Sequence, residues 1–137
     1  SVKDANPDLY KLVKQQIHSL DVAQDNNFPD QVRALLPGAI SRGDSNLDRV
    51  AALFSMHPRT FNRRLKTYGI GYQQLRDEVS YSIAKQLLHD TDLDVSQIAT
   101  NLGYADARSF IRAFRRWSDT TPARWRAQQK QLRGTNR

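Results

Sequence analysis

Two stretches of this chain, LDRVAALFSMHP (47–58) and VSQIATNLGYAD (95–106), carry one pattern 48 residues apart. At that offset Val50 meets Ile98, Ala51 meets Ala99, Phe54 meets Leu102 and Met56 meets Tyr104. One extra residue, Ala107, raises the offset to 49. Arg59, Phe61, Arg63 and Lys66 then meet Arg108, Phe110, Arg112 and Arg115. Apolar residues recur at helical spacing on both sides of a short interruption, so each unit reads as helix, tight turn, helix. A small alanine in the first helix lets the second cross it closely. Gly103 suits a left-handed turn residue, and Ser55 stands at the matching place in the first unit, where it costs some strain. The pattern is a helix-turn-helix present twice, over 47–68 and 95–117.

The rest of the sequence fits the same all-α class, since no stretch alternates with period two. Asn6-Pro7 opens a helix over about 7–20. A second helix spans about 29–41, with Pro37-Gly38 inside it as a kink or break. Tyr72 to His89 carries Leu75, Val79, Ile83 and Leu87 at every fourth residue, a connecting helix of five turns. Asp94 with Gln97 reads as a capping-box variant before Val95. Thr121-Pro122 opens a closing helix over 122–129, and 131–137 reads as a frayed tail. The expected architecture is two helix-turn-helix subdomains joined by a long central helix and preceded by one or two linker helices.

Composition excludes several functions. Cysteine is absent, and the three histidines (18, 57 and 89) are too scattered for a paired metal motif. The six glycines form no phosphate-cradling loop. No apolar run is long enough for a membrane span. No catalytic constellation, metal site or cofactor is therefore expected, and neither is a membrane. The charge is informative once the chain is divided. Residues 1–45 hold five bases against six acids, and 46–137 hold sixteen against eight. This excess gathers at 59–66 and 108–126. It suits either an anionic polymer or a solvated basic face.

Helical-wheel geometry separates the two faces. At ~100° per residue, Phe61, Leu65 and Tyr68 form the inner stripe of the first unit's second helix, and Arg59, Asn62, Arg63 and Lys66 face outward. In the second unit Phe110, Phe114 and Trp117 lie inward, while Arg108, Ile111, Arg112 and Arg115 lie outward. In a helix-turn-helix this outward face enters the major groove, where the planar fork of Arg matches guanine O6 and N7. Ile111 suits either a thymine methyl or packing within its own unit. His57, before Pro58, suits a cap or a phosphate contact. Arg64 and Arg116, beside the inner stripe, suit an acidic partner as well as DNA.

The stretches VAALFSMHPRTFNRRLK and IATNLGY…SFIRAFRRW…TPARWR resemble the C-terminal DNA-binding domain of the AraC/XylS family of bacterial transcription regulators. The likeness covers about 44–126. It departs from the family's pattern at Asp119, where glycine is usual, and at Ala107-Arg108. It implies a sequence-specific, double-stranded DNA-binding regulator with no catalytic step. It further implies base readers at Arg59, Asn62, Arg63, Arg108, Ser109 and Arg112, joined by Ile111 from the wheel. Phosphate contacts are expected from His57, Lys66, Arg115 and Arg124. Residues 1–43 match poorly and are expected to be the linker from an upstream effector domain, with 44–130 as the DNA-binding domain. The chain, which begins at Ser1, is then a monomeric, cytoplasmic, nucleoid-associated fragment with RNA polymerase as a further partner. The competing reading is a helical module that binds RNA or DNA without sequence preference.

Overall fold

The computed structural model describes residues 27–135, and the expected helix over 7–20 lies outside them. Seven helices follow in order: α1 (Phe28–Ser41), α2 (Leu47–Leu53), α3 (Pro58–Lys66), α4 (Tyr72–Asp90), α5 (Val95–Asn101), α6 (Ala107–Ser118) and α7 (Pro122–Thr135). Among the described residues there is no strand. The fold is the expected one, two helix-turn-helix units (α2–α3 and α5–α6) joined by α4.

Side-chain caps start most of these helices, by accepting first-turn N–H groups that have no intrahelical partner. Asn27 accepts from Asp30, Asn46 from Arg49, and Asp94 from Gln97 in a reciprocal capping box. Pro37 does not break α1, which runs on to Ser41. Both Pro37 and Gly38 lie on its exposed side, while Leu36, Ala39 and Ile40 are buried. Packing of the apolar face offsets the missing N–H bond of the proline.

One buried cluster runs through both units. In the first half Phe28, Val32 and Leu36 of α1 meet Val50, Ala51, Phe61 and Leu65. Phe28 stands edge-on to Phe54 and Phe61, with centroids 5.3 and 5.4 Å away. Helix α1 thus closes the back of the first helix-turn-helix, so the expected division at 43/44 falls inside a shared core. Burying one such Phe or Leu side chain contributes roughly 1.5–3 kcal/mol. In the second half Ile98, Ala99, Leu102, Phe110 and Phe114 pack with Ala84 and Leu88 of α4.

Two expectations require correction. Tyr68 is 50% exposed rather than part of the inner stripe. Helix α3 ends at Lys66, so the wheel no longer applies two residues later, where Gly69 turns the chain at φ +86°. The closing helix runs to Thr135, past its expected end at 129, so most of the expected tail is helical. Tertiary bonds hold it, because side chains of α7 reach the C-terminal carbonyls of α4. Arg126 Nε donates to Leu88 O at 2.9 Å, and its terminal nitrogen donates to Thr91 O at 3.3 Å. Arg133 donates to His89 O.

Candidate nucleic-acid interface

The repeat seen in the sequence reappears in the backbone of the two turns. In the first, Ser55 is left-handed at φ 56° and the Met56 N–H donates to Ala51 O at 3.0 Å. In the second, Gly103 is left-handed at φ 80° and the Tyr104 N–H donates to Ala99 O at 2.9 Å. This bond, closing six residues at the end of the first helix, ties the turn back to that helix and aims the next helix across it. Ala51 and Ala99, both buried, sit at the crossings.

Each second helix has a different cap. His57 Nδ1 accepts the Arg59 N–H at 3.2 Å, as the sequence suggested. Asp106 Oδ1 accepts the Ser109 N–H at 2.7 Å. The bonds from Ser109 hold the Asp106 carboxyl below the usual carboxylate range, and the cations of Arg108 and Arg112 add to the effect. The outer face of the second unit therefore carries an anion at its start that the first lacks. Asp119 ends α6 in a left-handed conformation at φ 62°, which Asp tolerates better than most residues.

The structure gathers the expected residues of the first unit along one open cleft of about 960 Å³ between α2 and α3. His57, Arg59, Asn62, Arg63 and Lys66 all line it. Four of them are exposed, but Asn62 is half-buried and turned differently. Its Oδ1 accepts the Tyr72 N–H at 2.9 Å, so its carbonyl faces α4 rather than standing with the arginines. In the second unit Arg108, Arg112 and Arg115 are exposed on α6, with Ser109 and Ile111 half-buried among them. Arg115 and Arg124 line a smaller cleft of about 280 Å³ with Thr121, whose hydroxyl accepts the Arg124 N–H. The Arg64 guanidinium lies 4.3 Å from the Phe28 ring centroid, a cation–π contact that ties α3 to α1.

Residues between the two units went unnoticed in the sequence. Arg76 Nε donates to Ser45 Oγ at 3.0 Å, and its charge acts on both Tyr72 and Tyr104. Arg76, Tyr72 and Ser45 share a cleft with Gly103, the turn residue of the second unit. Burial pushes the Tyr72 hydroxyl up to about 12, and that hydroxyl donates to Ser45 O at 2.5 Å. Arg76 stands beside Asp77 and Glu78, so in sequence it reads as an ordinary solvated charge, and only the packing of the two units brings it to Ser45.

Paired helix-turn-helix units with cationic outer faces define a class of DNA-binding domain. The helix-turn-helix domain family matches residues 50–128. The regulator VirS of Mycobacterium tuberculosis is 29% identical over 126 residues, covering 92% of this chain and 37% of its own length. A DNA-binding transcriptional dual regulator of Escherichia coli K-12 has a similar structure, with TM-score 0.70 and 25% identity over 77% of this chain and 94% of that one. The DNA-binding domain of the global transcriptional factor AdpA, solved with a target DNA, matches at TM-score 0.66 and 25% identity, over 77% of this chain and 96% of that one. The chain belongs to the AraC/XylS family of bacterial helix-turn-helix transcription regulators. Its described residues form the sequence-specific DNA-binding domain of such a regulator, a family of binding proteins rather than enzymes. It spans little more than a third of the length of VirS. Among the described residues no helix is long and apolar enough to cross a membrane.

Proposed function

We propose that this chain binds one duplex as a monomer and reads two successive major grooves with α3 and α6. The observation that carries the reading is the duplicated turn geometry, with exposed arginines on the outer face of the helix after each turn. The nineteen residues of α4 make a rod of about 28 Å at ~1.5 Å per residue. That length, with the offsets of the two reading helices, matches the ~34 Å between major grooves on one face of DNA. Arg59 and Arg63 read bases in one groove; Arg108, Ser109, Ile111 and Arg112 do so in the other. His57, Lys66, Arg115 and Arg124 hold phosphates, which position the domain without specifying sequence. In the whole protein an upstream effector domain and RNA polymerase complete the regulator, which acts in the cytoplasm on the nucleoid. AdpA's structure with its target DNA supports duplex DNA as the ligand.

Selection of bound duplexes from a random library tests this reading. The expected site is asymmetric and spans about two helical turns. A short palindrome, a one-turn site, or equal binding to single strands and RNA contradicts it. Lys66→Ala is expected to weaken all duplexes alike and to lower the salt dependence by about one unit. Weakening of the preferred site alone, at an unchanged salt slope, assigns Lys66 to a base instead.

A further inference from the structure

The connecting helix has no cap of its own. Gly71 stands at its N-cap position and provides no side-chain bond. The first N–H groups of a helix lack intrahelical acceptors and need partners from elsewhere. For Tyr72 that partner comes from the first reading helix: its N–H donates to Asn62 Oδ1 at 2.9 Å, ten residues back in the chain. The neighbouring Phe61 ring meets the Tyr72 ring edge-on with centroids 5.7 Å apart. Two adjacent residues of α3 therefore grip the first residue of α4, one by a hydrogen bond and one by its ring.

We propose that Asn62 is a positioning residue that fixes the first reading helix on the connecting helix, and so sets the distance between the two reading faces. The proposal rests on the two-groove reading above. Three observations favour it over base reading. Asn62 is half-buried where Arg59, Arg63 and Lys66 on the same helix are exposed. Its carbonyl already has a partner, and that partner is an N–H with no other side chain to cap it. The matching residue in the second unit is Ile111, which has no acceptor. The second reading helix is instead joined to α4 by rings, with Tyr81 at 5.5 Å from Phe114 and 5.7 Å from Trp117. Among the described residues, no side chain of α6 makes a matching hydrogen bond to α4.

Binding to a series of duplexes whose two half-sites are moved apart or together by one or two base pairs tests this. For the natural chain each step off the best spacing is expected to cost about tenfold or more, because DNA or protein must deform to restore both contacts. Asn62→Ala is expected to bind off-spacing duplexes with several-fold less penalty, with unchanged preference at every base pair. Its melting temperature should fall by about 4–8 °C, as for loss of a helix cap in a small domain. Asn62→Asp keeps an acceptor in the same place and should restore both the melting temperature and the spacing dependence. If Asn62→Ala fails to fold, Asn62→Asp decides alone, by matching or failing to match the natural spacing dependence.

A natural spacing dependence in Asn62→Ala, or loss of preference at a single base pair, overturns the proposal. A drop in stability with spacing dependence intact also overturns it, since the bond is then a cap and nothing more. A natural chain without any spacing dependence overturns the two-groove reading itself, and this proposal with it.

Discussion

Asp106 shows how one residue adjusts the charge of a basic helix face. Its carboxylate caps α6 through the Ser109 N–H and lies near enough to Arg108 and Arg112 to feel their charge. A carboxyl whose folded pKa is lowered stabilises the fold above its ordinary range, and that contribution is lost as pH falls through the lowered value. Asp106→Ala is therefore expected to melt below the natural chain at neutral pH, with the gap closing in acid. Melting curves from neutral pH to about pH 3 measure this, spanning the ordinary aspartate pKa. A gap that holds constant down to that pH contradicts the assignment. His57, the cap in the first unit, brings no such anion to its reading face.

At the scale of elements, α7 acts as a clasp on the end of α4. The guanidinium of Arg126 reaches the carbonyls of Leu88 and Thr91, at a helix C-terminus where intrahelical donors run out, and that of Leu87, which also accepts from Thr91. Removing these half-buried bonds in Arg126→Ala is expected to cost about 1–3 kcal/mol. Denaturant unfolding reads the change, and a loss below about 0.5 kcal/mol, the range of an ordinary surface substitution, shows the clasp to be idle. This clasp also explains which elements were legible in the sequence. Local signals served well wherever the cause was local: Asp94 with Gln97, His57 before Pro58, and the left-handed turn at Gly103 all sit where the residues suggested. Tertiary causes were invisible. Nothing in KQLRGTNR reveals that Arg133 will reach His89 O, and nothing in FNRRL reveals that Asn62 will cap a helix ten residues on. The Tyr68 expectation failed because a wheel assumes a helix that Gly69 ends.

In the whole molecule, two copies of one small motif become a single device because α4 holds them apart and a shared core holds each against it. Helix α1 belongs to that device. Its Phe28 touches the ring of Phe61 on the first reading helix, and Arg33 ties it to Glu78 on α4 at 2.5 Å. The sequence pattern made the duplication and the basic outer faces legible, down to the arginines at matching places. It left the asymmetry hidden, since Asn62 and Ile111 occupy one position of the repeat yet only Asn62 bonds to the connecting helix.

The most direct test of two-groove reading is a base-by-base binding profile for the natural chain, Arg63→Ala, Arg112→Ala and the double variant. A bidentate Arg–guanine pair is worth roughly 1–3 kcal/mol of discrimination. Arg63→Ala is expected to relax one position in one half of the site, and Arg112→Ala one position in the other half. The second effect should be the smaller, because the charge of Asp106 acts on Arg112 while His57 brings no anion to Arg63. The double variant should show the sum of both, as for sites that share no partner. Uniform loss across all duplexes in either single variant, or both variants relaxing positions in the same half, contradicts the account.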